Sequence, residues 1–464
     1  MNHDTNFDRA GIDTALSVLQ QRFGDRFTRN EGIRREHGHN VSMLYNQPPD
    51  AVVFAESTAD VADAVKICAA HRCPVVAFGA GSSIEGQLNA PFGGVSIDLS
   101  RMNQVLAVSP GDMTVTVQPG ITREALNAYL RDTGLFFPID PGANASIGGM
   151  ASTRASGTTA VRYGTMKDVV LAAEAVMADG RTIRTARRAK KSSAGYDLTR
   201  LLVGAEGTLG IMTELTLRVF GIPEMISGGV CTFPSVRAAC EAVMATIQAG
   251  IPIARCELLD ENQIRACNAY SKLSLEEQPT LCVEFHGSPS SVAEQSELFG
   301  EIALEYGSPS FEWSTDPDRR NKLWRARHDG YWAAVALRPG CEVYSTDVCV
   351  PISRLAECVE ETQKDLADMG LFAPILGHVG DGNFHVLLSL DTANAAEMKR
   401  SEEFSARLVE RALSMDGTCT GEHGIGQRKP KYLRKEMGDA VDFMQSIKAA
   451  LDPQNILNPG KYGF

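Results

Sequence analysis

Two glycine-rich segments near the C-terminal end carry three of the nine histidines of the chain. Residues 377–385 read Gly-His-Val-Gly-Asp-Gly-Asn-Phe-His, and residues 421–426 read Gly-Glu-His-Gly-Ile-Gly. A strand that ends at His378 and a strand that begins at His385, joined by a tight turn, would bring both imidazoles near one point. Two imidazoles and one carboxylate commonly bind a divalent metal and leave coordination positions open. The predicted metal ligands are therefore His378, His385 and Glu422.

His423, the neighbour of Glu422, is the candidate general base, because a neutral imidazole can accept a proton near pH 7. Asp381 is a further candidate ligand, but its place at the apex of the turn suits a backbone-capping role better. The alternative interpretation is two ordinary turns with hydrogen-bonded histidines. The concentration of three histidines in two short motifs favours a site, and Zn, Mn and Fe(II) all accept this ligand set.

Composition limits the classes of protein that could carry these motifs. The chain has 464 residues, with 45 Lys and Arg against 57 Asp and Glu, so its formal charge is −12. The length suggests two or three domains. Hydrophobic residues make up 44% and charged residues 22%, which is typical of a folded protein. The acidic balance argues against binding to nucleic acid and against electrostatic docking on an anionic membrane.

Targeting signals and cysteine usage favour a reducing compartment. The sequence has no apolar run near the roughly 18–20 residues of a membrane-spanning helix. Its N-terminus lacks the features of a secretory or transit signal, and eleven scattered Cys without a Cys-x-x-Cys pair fit reduced thiols. We therefore expect a cytoplasmic protein, with peripheral contact at the inner face of the membrane as an option.

The first half of the chain is rich in glycine loops, which occupy 79–86, 142–149, 157–164 and 204–210. Short apolar or alternating runs between the loops predict strands, and two capped periodic runs predict helices. The predicted strands are 75–78, 95–99, 114–117 and 214–219, and the predicted helices are 58–70, starting at a Thr58 cap, and 122–133. This mixture predicts an α+β fold rather than a regular βαβ array.

The loop after Phe78 has the glycine spacing of a dinucleotide-binding unit, with Asp98 about twenty residues further on. Such a unit needs a crossover helix, and the Gly and Pro residues of 86–94 would break one. We therefore predict a phosphate-binding loop without a parallel nicotinamide-binding unit. An ordinary turn is the alternative for this loop alone, but four similar loops suggest an extended, phosphate-bearing cofactor.

The second half follows Ile222 and Pro223 with alternating strands and helices. The predicted helices are 235–249, 290–305 and 354–369, and the predicted strands are 281–285, 344–350 and 385–390. This order predicts an antiparallel sheet with helices on one face.

The order of the four glycine loops resembles the FAD-binding domain of the vanillyl-alcohol oxidase type of flavoprotein. The resemblance implies that the first loop cradles the pyrophosphate, the next two run beside the isoalloxazine and ribityl, and the last lies near the adenine half. The matching residues are Gly79, Ala80, Gly81, Ser82, Ser83, Gln87, Pro141, Ser146, Gly149, Ser152, Gly157, Thr158, Glu206, Gly210, Ile211 and Asn458. No His lies between His71 and His286, so non-covalent FAD is expected unless His71 or a Cys forms a tether.

The two histidine segments and the ending Leu451–Lys461 resemble the C-terminal domain of FAD-linked D-2-hydroxyacid dehydrogenases. The resemblance implies that the metal positions the substrate's hydroxyl and carboxylate, and that His423 accepts the hydroxyl proton as the hydride passes to the flavin. In the family a Leu-Trp-x-x-Arg segment supplies an Arg for the substrate carboxylate, which Arg327 matches. Asn383 and Tyr331 are further predicted substrate contacts, although Tyr331 and Trp332 could equally pack an amphipathic helix on the core.

Ser345 narrows the substrate, because relatives that act on D-2-hydroxyglutarate tend to carry a Lys there. The sequence around Ser345 resembles the D-lactate dehydrogenase (cytochrome) branch of the family. We therefore expect oxidation of D-lactate, with glycolate and D-2-hydroxyglutarate as alternative substrates. Other classes are a metal-dependent hydrolase that uses His378, His385 and Glu422 to activate water, and a non-catalytic flavin-binding module.

The resemblance also predicts the division of the chain and its partners. We expect a helical lead-in at 1–45, an FAD-binding domain at 46–222, a substrate- and metal-binding cap at 223–444, and a segment at 445–464 that returns to the FAD domain. Candidate electron acceptors are a cytochrome, a quinone, an electron-transfer flavoprotein and oxygen. We expect no nucleic acid and no integral membrane contact, and a homodimer is an option.

Overall fold

The computed structural model describes residues 7–40 and 43–464. Its α-helices are α1 (Arg9–Phe23), α2 (Glu31–Glu36), α3 (Thr58–Ala70), α4 (Arg123–Leu130), α5 (Ile147–Thr153), α6 (Ala160–Tyr163), α7 (Met166–Val169), α8 (Leu198–Leu202), α9 (Val236–Gln248), α10 (Glu261–Ser271), α11 (Pro289–Glu305), α12 (Pro317–His328), α13 (Gly330–Leu337), α14 (Ile352–Asp368), α15 (Ala395–Ser414), α16 (Pro430–Met437) and α17 (Ala440–Leu451). Short 3-10 helices occupy Gly24–Arg26, Pro110–Asp112 and Arg131–Thr133. Ser57 caps α3 by accepting a hydrogen bond from the N–H of Asp60, so the predicted Thr58 cap is one residue late.

The strands form two large sheets and two smaller groups. They are β1 (Phe27–Thr28), β2 (Ala51–Phe54), β3 (Val75–Phe78), β4 (Val95–Asp98), β5 (Val105–Ser109), β6 (Thr114–Val117), β7 (Leu135–Phe136), β8 (Val170–Val176), β9 (Thr182–Arg184), β10 (Ile211–Arg218), β11 (Phe220–Gly221), β12 (Met225–Thr232), β13 (Ile253–Leu259), β14 (Thr280–Gly287), β15 (Glu312–Ser314), β16 (Glu342–Ser345), β17 (Val348–Cys349), β18 (Ile375–His378) and β19 (Asn383–Leu390). The sheet orders are β1-β2-β4-β3, β5-β6-β10-β8-β9, β11-β7 and β15-β12-β14-β13-β18-β19-β16, with β17 also paired to β19. The predicted α+β class is confirmed.

The chain forms two compact units. The first contains the chain up to Ser156, then Gly164–Ile222 and Glu422–Phe464; the second contains Gly157–Tyr163 and Pro223–Gly421. The chain leaves the first unit after Ile222 and returns to it at Glu422, whereas the sequence analysis expected the return at 445. Backbone hydrogen bonds hold the returning segment within the first unit. The N–H of Gln427 donates to the carbonyl of Glu85, and the N–H of Asn458 donates to the carbonyl of Val75.

The loop after Phe78 connects two parallel strands of the first unit. β3 and β4 pair in parallel, and the crossover between them contains no helix, as its Gly and Pro residues predicted. The parallel pairing itself was not predicted, because parallel neighbours usually have a helical crossover. α1 and α3 share a core with this sheet, while the five-stranded antiparallel sheet has its own core.

The sheet of the second unit is antiparallel, as predicted, but helices cover both of its faces. Adjacent residues of a strand point to opposite faces, and on β14 these are Glu284 and Phe285. On the Phe285 side, Phe299 of α11 lies 5.8 Å away between ring centroids. On the Glu284 side, α12 passes so close to Gly228 that an added Cβ would lie 2.8 Å from Cγ of Arg320. The expectation of helices on one face is therefore wrong.

In the part of the chain that the structure describes, no helix combines the length and apolar character that crossing a membrane requires.

Asp260 fixes the start of β18, the strand that ends at His378. Its Oδ1 accepts hydrogen bonds from the N–H of Gln263, 2.8 Å away, and of Ile375, 3.0 Å away. Burial raises the pKa of Asp260 from 3.8 to about 7, against the lowering effect of these bonds. The folded state therefore prefers the protonated form, and the stability from this preference is complete below pH 3.8 and lost as the pH rises through about 7.

Asp260→Asn should reduce this pH dependence, because Asn keeps the accepting oxygen and does not ionise. We expect the urea-unfolding free energy of the variant, relative to the natural protein, to be higher at pH 8 than at pH 5, by about 1 kcal/mol or more. Asp368→Asn, at the exposed end of α14, is the matched control. Equal pH dependence in all three proteins would contradict the assignment.

Candidate active site

The turn between β18 and β19 brings the first two predicted metal ligands together. The imidazole centroids of His378 and His385 are 5.6 Å apart. Leu376 pairs with His385, and His378 is two residues further along β18, so both imidazoles lie on one face of the sheet. Gly382 has a φ of +80°, and an added Cβ would overlap the carbonyl oxygen of Val350, so this tight turn requires glycine.

Hydrogen bonds at Nδ1 fix the tautomers of both imidazoles. His385 Nδ1 lies 2.9 Å from the carbonyl oxygen of Thr346, which can only accept a hydrogen bond. His378 Nδ1 lies 2.7 Å from Oε1 of Glu257. With the proton at Nδ1 of a neutral ring, the lone pair is at Nε2, which is the common arrangement of metal-binding histidines. Both residues therefore have the tautomer that metal-binding histidines commonly adopt, and their role as metal ligands stays a prediction.

Glu257 is the central polar residue of this face, and the sequence analysis missed it. The residue is completely buried on β13, and its Oε2 accepts from Nε and NH2 of Arg327 at 2.8 and 2.5 Å. Burial opposes ionisation of Glu257, but His378 and Arg327 outweigh that effect and lower its pKa. The signal in the sequence was a lone acid within the apolar strand Ile-Ala-Arg-Cys-Glu-Leu-Leu.

Arg327 therefore has a protein carboxylate as its partner. Only 8% of the residue is exposed, and Glu257 occupies two of the five N–H donors of the guanidinium. The pair holds the guanidinium in one orientation on the sheet face that also carries His378. An anion that binds Arg327 would therefore contact a guanidinium whose orientation is already fixed.

The other predicted substrate contacts are engaged within the second unit. Asn383 Nδ2 donates to Oδ1 of Asp347 and to the carbonyl of Val348, both at 2.8 Å, so its Oδ1 is the atom that could contact a ligand. Tyr331 is half-buried and packs against the cluster that contains Leu376. This placement fits the alternative that the sequence left open, a helix packed on the core.

In the first unit, the predicted pyrophosphate loop lies beside the loop at 146–149. A Cβ added to Gly79 would overlap Oγ of Ser146. Three buried side-chain atoms of the predicted cofactor residues have no hydrogen-bond partner among the described residues, namely Oγ of Ser83, Oγ of Ser146 and Oδ1 of Asn458. Unpaired buried polar atoms and a cleft that requires glycine fit a polar, extended cofactor.

The last predicted cofactor loop is tied to the C-terminal segment. The carboxylate of Glu206 accepts from the N–H of Ile425 and of Gly426, and burial raises the pKa of Glu206 to about 7. Asn458 Nδ2 donates to the carbonyl oxygens of Glu206 and Gln87, at 2.7 and 3.1 Å. These bonds hold the loops at 79–87 and 204–210 together.

His423 and Glu422 belong to the first unit, and their place in a metal site stays a prediction. His423 Nδ1 is 3.7 Å from Oε1 of Glu85, a buried carboxylate that also lies 3.1 Å from Nζ of Lys429. Gln87 Nε2 donates to the carbonyl of His423. Glu85 was missed by the sequence analysis, although a single acid inside a glycine loop was a visible signal.

The remaining predicted cofactor residues lie in both units. Eight are in the first unit, where Ser152 Oγ donates to the carbonyl of Gly148 and Ile211 is buried in the core. The eight are Ala80, Gly81, Ser82, Pro141, Gly149, Ser152, Gly210 and Ile211. Gly157 and Thr158 are in the second unit, although the sequence placed them in the FAD-binding domain.

Two family models match the chain. The model described as FAD linked oxidases, C-terminal domain, matches residues 222–462, and the FAD binding domain matches residues 49–186. The chain belongs to the FAD-linked oxidases. It is thus an FAD-dependent oxidoreductase, and the family expected from the sequence is confirmed.

Relatives of this FAD-linked oxidase extend over nearly its whole length. The probable D-lactate dehydrogenase, mitochondrial, of Danio rerio is 50% identical over 97% of this chain and 92% of its own. The D-lactate dehydrogenase [cytochrome], mitochondrial, of Arabidopsis thaliana is 45% identical over 96% of this chain and 79% of its own. Glycolate oxidase subunit GlcD of Bacillus subtilis is 32% identical over 97% and 96%.

A solved structure of p-cresol methylhydroxylase matches with a TM-score of 0.81, over 99% of this chain and 98% of its own. At 18% identity this likeness concerns the fold alone. It confirms the predicted vanillyl-alcohol oxidase type of fold.

Gly79→Ala should weaken FAD binding, because the new methyl group would displace Ser146 from the cofactor cleft. We expect the dissociation constant of FAD, measured by flavin fluorescence on deflavinated protein, to rise at least about tenfold. Gly111→Ala is the control, since nothing lies within 4 Å of its added Cβ. The double variant Gly79→Ala, Ser146→Ala should recover part of the affinity, and an unchanged affinity in Gly79→Ala would contradict this placement of the cleft.

Proposed function

We propose that this FAD-linked oxidase oxidises D-lactate to pyruvate, with a divalent metal that assists at the substrate. The observation that carries the proposal is the completely buried Glu257, whose two carboxylate oxygens hold Arg327 and His378. A fixed guanidinium suits the carboxylate of a 2-hydroxy acid, and an imidazole with its lone pair at Nε2 suits a metal at the neighbouring hydroxyl.

The proposed metal ligands are His378, His385 and Glu422. The donor set of two imidazoles and one carboxylate fits Zn, Mn or Fe(II), and the tautomers of both histidines support it. A metal bound there would lower the pKa of the substrate hydroxyl.

FAD, when bound, supplies the acceptor for the hydrogen that leaves C2 with its electron pair. The chain's own residues have separate tasks. Arg327 binds and orients the substrate carboxylate, and His423 accepts the hydroxyl proton as the carbonyl forms. Glu85, beside His423 Nδ1, would keep the imidazole oriented for this transfer. Pyruvate, a proton and reduced cofactor account for all atoms and electrons.

The cofactor is proposed to bind without a covalent bond. His71 follows the end of α3, before β3, and is separated from the glycine loops by that strand. Acid precipitation should therefore release all FAD into the supernatant.

Glycolate is the second candidate substrate, because several relatives are named glycolate oxidase subunits. D-2-hydroxyglutarate is less well supported, since Ser345 on β16 donates to the carbonyl of Thr346 and offers no cation to a second carboxylate. The match to FAD-linked oxidases argues against the hydrolase alternative.

The proposed electron acceptor is a cytochrome, because relatives of this chain are named D-lactate dehydrogenase [cytochrome]. A cytoplasmic location stays a prediction, and several relatives are named mitochondrial proteins.

A substrate panel tests the proposal. D-lactate, L-lactate, glycolate and D-2-hydroxyglutarate are supplied to the holoenzyme with an artificial electron acceptor, and kcat/KM is measured for each. We expect D-lactate to give the highest value, with L-lactate at least about 100-fold lower. A higher value for any of the other three acids would replace D-lactate as the substrate.

Glu257→Gln should impair metal binding, because an amide cannot accept from both His378 and Arg327 as the carboxylate does. We expect the metal dissociation constant, measured by competition with a chelator, to rise about 10- to 100-fold. The free energy of unfolding should fall by about 3–5 kcal/mol, since Arg327 would lose its buried counter-charge.

Glu312→Gln is the matched control, because Glu312 is exposed on β15 of the same sheet. Metal affinity equal to that of the natural protein in Glu257→Gln would show that Glu257 does not support a metal ligand.

A further inference from the structure

The short segment Gly157–Tyr163 separates from its neighbours in the sequence. The chain on both sides belongs to the first unit, whereas these seven residues pack within the second. Gly157 and Thr158 are two of the residues proposed to contact FAD. The segment therefore carries part of the proposed cofactor site into the unit that holds Arg327.

This segment lies against the turn that joins the two histidine strands. An added Cβ at Gly380, between His378 and His385, would be 2.7 Å from Cγ2 of Val161. α6 also lies beside β13, the strand of Glu257, and NH1 of Arg162 donates to the carbonyl of Pro252. A shift of the segment would displace the turn at Gly380, because the contact with Val161 leaves no room for one additional methyl group.

A line of three side chains fixes the end of the segment. The hydroxyl of Tyr163 lies 2.7 Å from Nδ1 of His286, and Nε2 of His286 lies 2.7 Å from Oε1 of Glu284. Glu284 accepts from His286 Nε2–H in the neutral ring, so Nδ1 carries the lone pair and Tyr163 donates to it. Both His286 and Glu284 are buried.

Cations on the same face of the sheet hold Glu284 in turn. NH1 of Arg255 lies 3.6 Å from its Oε2, and Nε of Arg320 lies 4.0 Å away. Burial opposes ionisation of Glu284, but Arg255, His286 and Arg320 lower its pKa. Arg255 also lies over the ring of Trp324, 4.9 Å from the ring centroid. Trp324 is on α12, the helix that carries Arg327. His286 and Glu284, which hold the segment, and α12, which carries Arg327, thus lie on the same face of the sheet.

We propose that Tyr163 is a positioning residue for the oxidation: its hydrogen bond to His286, backed by Glu284, fixes the cofactor-contacting segment Gly157–Tyr163 against the His378–His385 turn. The inference rests on the proposed function, since it takes Gly157 and Thr158 as cofactor contacts. Tyr163 needs no contact with the substrate in this role. It sets the alignment of donor and acceptor, to which hydride transfer is sensitive.

The test compares Tyr163→Phe, which removes only the hydroxyl, with Tyr129→Phe, the same change on the exposed face of α4. Rates of the holoenzymes are normalised to bound FAD. In Tyr163→Phe we expect kcat with D-lactate to fall about tenfold, KM to change less than about twofold, and the deuterium isotope effect of 2-deuterio-D-lactate on kcat to rise. The visible circular dichroism of the bound flavin should change as well.

His286→Ala should give the same loss, and the double variant Tyr163→Phe, His286→Ala should lose little more, because both changes break one hydrogen bond. An unchanged kcat per FAD in Tyr163→Phe with an unchanged flavin circular dichroism overturns the inference, even if stability or FAD content falls. If the natural protein does not oxidise D-lactate, the proposed function fails. The circular dichroism comparison then still decides whether Tyr163 positions the cofactor.

Discussion

The candidate site depends on a single buried carboxylate. Glu257 lies on a central strand with no exposed surface, where an unpaired charge would be very costly. Its two oxygens are used by two different partners, Arg327 and His378. These bonds restrict the orientation of all three side chains. That arrangement orients the guanidinium of Arg327 and sets the tautomer of His378 at the same time.

The surrounding fold provides the rigidity that this arrangement needs. β13 lies between β14 and β18, so Glu257 is held by backbone hydrogen bonds on both sides. α12 covers the same face, and Gly228 permits its close approach. An acidic chain of formal charge −12 that binds an anionic substrate must concentrate positive charge locally. The carboxylate of Glu257 does not add to this positive charge, and its part is to hold the guanidinium of Arg327 in one orientation.

Much of this arrangement could be predicted from local patterns. The turn between His378 and His385 followed from the spacing of Gly, Asp and His, and the helix at 58–70 followed from its apolar period. The family was recognisable from the order of its motifs. In contrast, Glu257 and Glu85 were not predicted, because their importance depends on partners far away in the sequence, 70 residues for Arg327 and Glu257. Local periodicity contains no information about such pairs, and only the strand register brings them together. The same reason explains why the placement of Gly157–Tyr163 in the second unit was missed.

The most direct test of the account is the anaerobic absorbance of the bound flavin after addition of D-lactate, before and after removal of metal by a chelator. We predict bleaching by D-lactate and not by L-lactate, loss of rapid bleaching once the metal is removed, and recovery when Zn or Mn is restored. Bleaching by D-lactate at an undiminished rate in metal-free protein would contradict the claim that His378 and His385 bind a metal at the substrate.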